Sequence, residues 1–522
     1  MKRLRLCIVL LGMLGLFVGL SPVGAQAQKA APAGTVNIAI STLHEETFLP
    51  WNGGGPRKFY LDNIYEYLFY VDPATGKAIP GLAKKWKVSP DGKTWTFTLR
   101  KGVPFHEGWG EVTSADVKYS IEQIVDPKSV VGPAGQMRKL IAKVEAPDPY
   151  TVVFQLTRAD AEFDFGYMGN SMCAPICCKK YVETVGDEKA NAHPIGTGAY
   201  TLTEYKKGSS MTFTTVKDVE KHWRVTPKFK TIKILAVPEE ATRVAMLKAG
   251  EVDLAPISYD SVDTVKASGL HILPGSFWAP LIRFGGIVAT DPKRYIPNIP
   301  WAKKEVRQAL NYAIDRDAIV KNIFHGSAVP SFGSISSPLW NDIPAYPYDP
   351  EKAKQLLKQA GYPNGFKVTL KVFTTTPGAE LPLLGQTAAM YWQNIGLDVT
   401  VIPTDWGTVR SEWSGGKMVP DYVWTHRGLY WSSLNSGLMV ETTSKTPFSS
   451  YATKESEALF DKMATELDAK KRAKLAVEMG EFLREEAFCV GLVHAYEPHG
   501  VSKKITAWPT NVLYPNNLDQ LK

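Results

Sequence analysis

Cysteine is scarce, five residues in 522, which excludes a small fold held together by disulfide staples. Cys7 lies in an N-terminal apolar run, and the others are Cys173, Cys177, Cys178 and Cys489. The stretch CAPICC has no partner pair at zinc spacing, so no structural zinc site is expected. In an oxidising compartment one disulfide, from Cys173 to Cys177 or Cys178, stays open. An excess of one charge is missing too. The net charge of +8 includes Lys2, Arg3 and Arg5 at the N-terminus, leaving +5 for the rest. Basic pairs such as Lys206-Lys207 are isolated, which excludes nucleic acid as a partner. After Leu20 no apolar run approaches the ~20 residues that cross a bilayer. Hydrolase signatures are also lacking. His44-Glu45 and His106-Glu107 begin H-E-x-x-H, but Phe48 and Gly110 stand where the second histidine belongs, and no G-x-S-x-G occurs. A secreted hydrolase remains only as the alternative class, and His106 reads as structural.

What is present begins with a leader. Lys2, Arg3 and Arg5 precede apolar Leu6 to Leu20, Ser21-Pro22 break the run, and Ala25-Gln26-Ala27 forms an A-x-A site. Residues 1–27 read as a secretory signal peptide, with the mature chain starting near Gln28 outside the cytoplasm. The remainder is long enough for about three domains.

Two β-α-β units stand far apart. In the first, TIKILAV (231–237) is a buried strand and PEEATRVAMLKAG a helix. That helix carries Glu239 and Glu240 at its positive end and Ala241, Val244 and Ala245 on one face, and Gly250 stops it. EVDLAP returns as a strand. In the second unit FKVTLKVF (366–373) alternates Val368, Leu370 and Val372 with polar residues. A helix from about Leu383 to Asn394 and the strand LDVTVIPTDW follow. More than a hundred residues separate the units, so two lobes are expected rather than one sheet. A single continuous sheet would count against that reading.

Helices fill the rest of the second half. Val306, Ala309, Leu310 and Ala313 share a face, with a break near Asp315. Asp349 caps a helix that has Pro350 at its first position and closes at Gly361. Residues 454–486 form two helices broken near Asp468, and 489–503 return as a strand. Residues 81–193 differ: a hairpin around Pro90-Asp91-Gly92, a helix from Thr113 or Ser114, and a strand with Val152, Phe154 and Leu156 inward make a smaller α+β insertion.

The glycines of PIGTGAYTLTEYKKG (194–208) do not cradle phosphate. Such a loop needs a strand before it and a helix after it, whereas AYTLTEY and MTFTTVK alternate as a hairpin around KKGSS. Gly196 and Gly198 are expected to supply unusual backbone angles.

GLAKKWKVSPDGKTWTFTLRKGVPFHEGWGEVTSADVKYSIEQ (81–123) resembles the signature of the bacterial extracellular solute-binding proteins of family 5, the peptide/nickel type. So do PIGTGAYTLTEYKKG, IKILAVPEEATRVAMLKAGEVDLAP, EVRQALNYAIDRDAIVKNIFHGSAVP and YDPEKAKQLLKQAGYPNGF, in family order over nearly all of the mature chain. The resemblance implies an α/β fold, a two-lobed periplasmic-binding-protein clamshell with an additional α+β domain. Lobe I would be 28–80, 193–285 and 490–522, the extra domain 81–192, and lobe II 286–489, with the hinge near 285 and 490. It implies a periplasmic receptor of an ABC importer, a monomer without cofactor, metal or reaction, that delivers its ligand to permease subunits at the inner membrane.

The ligand-binding residues then expected are His44 and Glu45, from the family's first loop, and Trp278, Trp406, Thr425, His426, Arg427 and Trp431, from an aromatic and polar cluster. Peptide-binding members carry an aspartate for the ligand amine in this segment, and Tyr430 stands near that place here. Arg427 instead offers a fork for a carboxylate, or the ligand is a polar neutral solute. A peptide is the default ligand, with an oligosaccharide, an opine-like compound or a nickel chelate as alternatives.

Overall fold

In the computed structural model the described residues are 31–54, 57–72, 78–169, 174–335, 337–375, 378–414, 422–429, 433–508 and 517–522. The leader, Cys173, Tyr430 and Trp431 lie outside them.

Local chemistry sets the elements. Strand Thr35–Ile40 runs parallel to Thr231–Ala236, with Val36 beside Ile232 and Ile38 beside Ile234, and all four side chains are fully buried. Strand Lys367–Val372 buries Val368, Leu370 and Val372. Asp349 caps its helix as expected, and the expected breaks near Asp315 and Asp468 are themselves helix caps. The Asp315 side chain accepts from Ala318 N, that of Asp349 from Lys352 N, and that of Asp468 from Lys470 N and Lys471 N. Gly250 closes helix Glu240–Ala249 in the left-handed region, φ 75°, where a Cβ would cost energy.

That helix corrects one expectation. Ala241 and Ala245 are exposed, and Arg243 and Leu247 are buried. The Arg243 guanidinium donates to the carbonyls of Val237, Pro238 and Pro256, so a charged residue turns inward because three backbone acceptors need it.

The number of sheets is a second correction. Among the described residues twelve strands form one hydrogen-bonded sheet. The strands of the second β-α-β unit, Asp398–Pro403 and Lys367–Val372, lie at one end beside Tyr422–Leu429. At the other end Thr35–Ile40 and Thr231–Ala236 continue into the hairpin Tyr200–Lys206 and Ser210–Thr215. Two long strands in the middle, His271–Phe284 and Val493–Val501, pair with each other and with both ends. The strand expected over 489–503 and the segment leading to the crossing near 285 thus pair with each other, and they fuse two sheets into one. Their ladder shifts register between Pro274 and Phe277, an irregularity that bends and twists a strand locally.

Hydrophobic burial still separates into large cores. One gathers Val36, Ile38, Phe97, Phe154 and Phe213, and the other Leu281, Val306, Leu370, Trp392 and Leu483. A separate four-stranded antiparallel sheet orders Ala83–Val88, Thr94–Leu99, Thr151–Leu156 and Ile141–Asp148. It shares the first core through Phe97 and Phe154.

Gly196 and Gly198 lead into the expected hairpin, but not through unusual angles, for neither has positive φ. Close approach is the reason. A Cβ on Gly196 would lie 2.0 Å from Ile64 O, and one on Gly198 would lie 2.4 Å from Asn63 O. His106 locks the same junction: its Nε2 meets Gly198 O at 2.8 Å and its Nδ1 accepts from Gly196 N at 3.3 Å. Both bonds together require the neutral ring protonated on Nε2. Burial pushes its pKa down to about 4, against about 6.5 in the unfolded chain. Between those values the unfolded chain binds a proton that the folded site refuses, so the site's stability is lost as pH falls through this window. The loss amounts to roughly 3 kcal/mol by pH 4. In urea titrations at pH 7 and pH 4.5, the stability gap between wild type and His106→Gln is expected to narrow at the lower pH; a constant gap would refute the assignment.

Cys177, Cys178 and Cys489 are buried and free among the described residues, and Cys173, the partner that the spacing left open, lies outside them. Cys177 is packed into the first core, and burial pushes its thiol pKa up.

Candidate functional site

Strand Tyr422–Leu429 carries three of the expected residues and sorts them by alternation. It runs antiparallel to the first crossing strand, with His426 opposite Leu281 and Arg427 opposite Pro280. Thr425 and Arg427 therefore share one face, and His426 takes the other.

On the His426 face the environment is aromatic. The imidazole lies 5.2 Å from the Trp406 ring and 5.1 Å from that of Trp413. Trp406, half-buried, stacks on Phe373 at 5.4 Å. Burial, then the charges of Arg283 and Arg427, hold the His426 pKa well below the ordinary histidine value. Its Nδ1 is buried and has no hydrogen-bond partner among the described residues.

On the other face Thr425 is fully buried, with its hydroxyl unpartnered among the described residues. Arg427 is half-buried, and no hydrogen bond or ion pair holds its guanidinium among the described residues. Burial pulls its pKa down to about 10, opposed by Glu497. Glu497 was not anticipated. It lies on the second crossing strand, half-buried, and burial with Glu380 pushes its pKa up to about 7 while Arg243 and Arg427 pull it down. The nearest ring nitrogen, His499 Nε2, stands 4.0 Å from Oε2, beyond hydrogen-bond reach. One signal for it existed: an acid inside the otherwise strand-like VHAYEPHGV. An unpaired guanidinium and an unpaired carboxylate, both partly desolvated, can each take an oppositely charged group.

The remaining expected residues are placed elsewhere. Trp278 is 1% exposed and belongs to the second core. Its Nε1–H donates to Tyr259 Oη at 3.0 Å, and Phe324 packs on its ring, so it leaves no open face for a ligand. His44 and Glu45 sit exposed in the loop after strand Thr35–Ile40, with His44 at φ 58°. Their neighbour Glu46 pins this loop, accepting from Tyr205 Oη and Gly208 N, both at 2.8 Å. Trp431 lies outside the described residues. Thr425 and Arg427 thus share one face of the strand, His426 and Trp406 meet on the other, and Trp278, His44 and Glu45 join neither group.

Among the described residues no group of His, Cys, Asp and Glu suited to a metal ion occurs, and no helix is long and apolar enough to cross a membrane.

Known proteins supply the comparison. The family model for bacterial extracellular solute-binding proteins, family 5 Middle, matches residues 77–436. The dipeptide-binding protein of Escherichia coli (strain K12) is 27% identical over 506 residues, 88% of each chain. The glutathione-binding protein GsiB of Escherichia coli O1:K1 / APEC is 35% identical over 314 residues, 59% of this chain and 58% of that one. The fold of HbpA2 from Haemophilus parasuis superposes with a TM-score of 0.78 at 21% identity, covering 94% of this chain and 99% of that one. The first two of these are binding proteins. The chain belongs to the bacterial extracellular solute-binding proteins, family 5, which capture solutes for ABC importers.

Proposed function

We propose that this chain is a periplasmic receptor that captures a small carboxylate-bearing solute beside Arg427 and hands it to ABC permease subunits without altering it. The leader-like residues 1–27 support export. The division into lobe I (28–80, 193–285, 490–522), an extra domain (81–192) and lobe II (286–489), acting as a monomer, is part of the same reading. So is hinge motion where His271–Phe284 and Val493–Val501 cross. Ligand groups must touch both lobes if binding is to favour closure.

The observation that carries the ligand class is the guanidinium of Arg427, half-buried and unpaired among the described residues. A fork that has already lost much of its hydration binds a carboxylate better than an exposed one. Dipeptides and glutathione, bound by relatives, both carry such a group.

Calorimetry with alanyl-leucine and with glutathione tests this. Arg427→Ala is expected to weaken the binding ligand by about 30-fold or more, the loss seen when one partner of a desolvated charge pair is truncated. Arg427→Lys should fall between, keeping charge but not the fork. Equal affinity of wild type and Arg427→Ala would overturn the assignment.

A further inference from the structure

Away from the shared sheet, two hydrophobic cores approach each other again around one carboxylate. Phe163 and Tyr167 lie in the core that includes the four-stranded sheet, and Leu438, Met463 and Ala464 in the other. Between them, Glu162 Oε2 accepts from Asn435 N at 3.0 Å. One residue earlier, Ala161 N donates to Ala464 O at 2.9 Å. Arg472 Nε stands 4.0 Å from Glu162 Oε1, and Asp160, itself buried, holds the turn by accepting from Glu162 N at 3.0 Å. Beside these contacts an open crevice separates Pro90, at the hairpin turn, from Lys462 and Leu467. Around Glu162 the two units therefore meet through polar bonds next to a gap, a pattern suited to contacts that break and re-form.

The position of Asn435 gives this contact its meaning. It is the second residue of helix Leu434–Thr442, which follows within a few residues of the strand bearing Thr425, His426 and Arg427. Ser433 caps that helix by accepting from Ser436 N. The first-turn N–H groups of a helix have no partners within it and concentrate positive potential. Glu162 brings a carboxyl acceptor to that end from the other unit. Near the opposite end Glu441 grips Arg283, so the helix is held in its own lobe at one end and from across the gap at the other.

We propose that Glu162 is a positioning residue, an interdomain helix cap that is made when the unit bearing the four-stranded sheet closes on the lobe bearing Leu434–Thr442, and that sets the adjoining ligand segment in its binding geometry. The link to binding rests on the reading that the solute sits beside Arg427; the cap across the gap does not.

Hydrogen exchange followed by mass spectrometry on the full mature chain separates the two. In Glu162→Ala, peptides containing Asn435 and those containing Ala161 are both expected to exchange about tenfold faster or more, because the two amides sit on opposite sides of one opening event. Core peptides around Ile38 and Leu370 should be unchanged. A local cap would accelerate Asn435 alone and leave Ala161 protected, which overturns the proposal, as does unchanged exchange at both. Glu162→Gln keeps the shape and one acceptor oxygen, so it should move both peptides in the same direction by less; if the alanine variant fails to fold, this one decides. In parallel, Glu162→Ala should weaken alanyl-leucine binding about tenfold, whereas Arg427→Ala should weaken it without altering exchange at Ala161. If Arg427→Ala leaves binding intact while Glu162→Ala speeds both peptides, the ligand reading fails and the interdomain cap stands.

Discussion

Replacing Arg283 by methionine is expected to cost about 3–5 kcal/mol of folding stability, the range for breaking a buried ion pair from one side. Arg283 lies on the first crossing strand and pairs through both terminal nitrogens with the Glu441 carboxylate, each side chain 1% exposed. Ser450 Oγ accepts a further bond at 3.0 Å, and the guanidinium lies 4.9 Å from the Trp413 ring centre. Methionine would fill most of the volume, so the loss comes from stranding the Glu441 charge in the core rather than from a cavity. The double variant Arg283→Met/Glu441→Leu should recover most of the loss, since apolar replacement of a whole buried pair is often neutral. Urea denaturation of the wild type, both single variants and the double variant measures the coupling directly. A single-variant loss below about 1 kcal/mol would show that the pair is solvated and that the helix is held in some other way.

Gly196→Ala is expected to be nearly as damaging, at about 3 kcal/mol or more. The added methyl would lie 2.0 Å from Ile64 O and 2.7 Å from Ile64 C. Backbone cannot rotate aside as a side chain can, so segments 63–65 and 195–200 must separate. Separation strains Gly198 N to Ile64 O and Tyr200 N to Asn63 O, at 2.8 and 3.1 Å, and with them the His106 bonds. The contrast is Gly135→Ala, in helix Ala134–Leu140, where nothing lies within 4 Å of the new methyl. Helix propensity alone then predicts a gain of about 0.5–1 kcal/mol. Thermal and urea midpoints of the two variants should move in opposite directions; a harmless Gly196→Ala would refute close approach as the reason for glycine there.

The same two sites mark how far sequence reasoning reaches. The hairpin after Gly198 is legible because alternation over a few residues encodes it, but the reason for the glycine is not. Ile64 is more than a hundred residues away, and only the folded chain brings its carbonyl onto Gly196. Arg283 carries no sequence signal at all, since its partner Glu441 is 158 residues distant. Trp278 shows the opposite failure. An aromatic near a predicted crossing looks like a ligand wall, yet the crossing is a paired strand and the indole is spent on Tyr259.

The helix cap at Asp349, the helix breaks near Asp315 and Asp468, the alternating strands, the β-α-β units and the family were legible in the residues alone, because caps and burial periodicity act over a few residues. The folded chain alone reveals that two long strands fuse two sheets into one, that Arg243 turns inward, that Arg427 and Glu497 stand half-buried without a hydrogen-bonded partner among the described residues, and that Glu162 reaches a helix of the other core. Each of these depends on which distant groups meet, and desolvation leaves unpaired only the charges that the assembled packing fails to match.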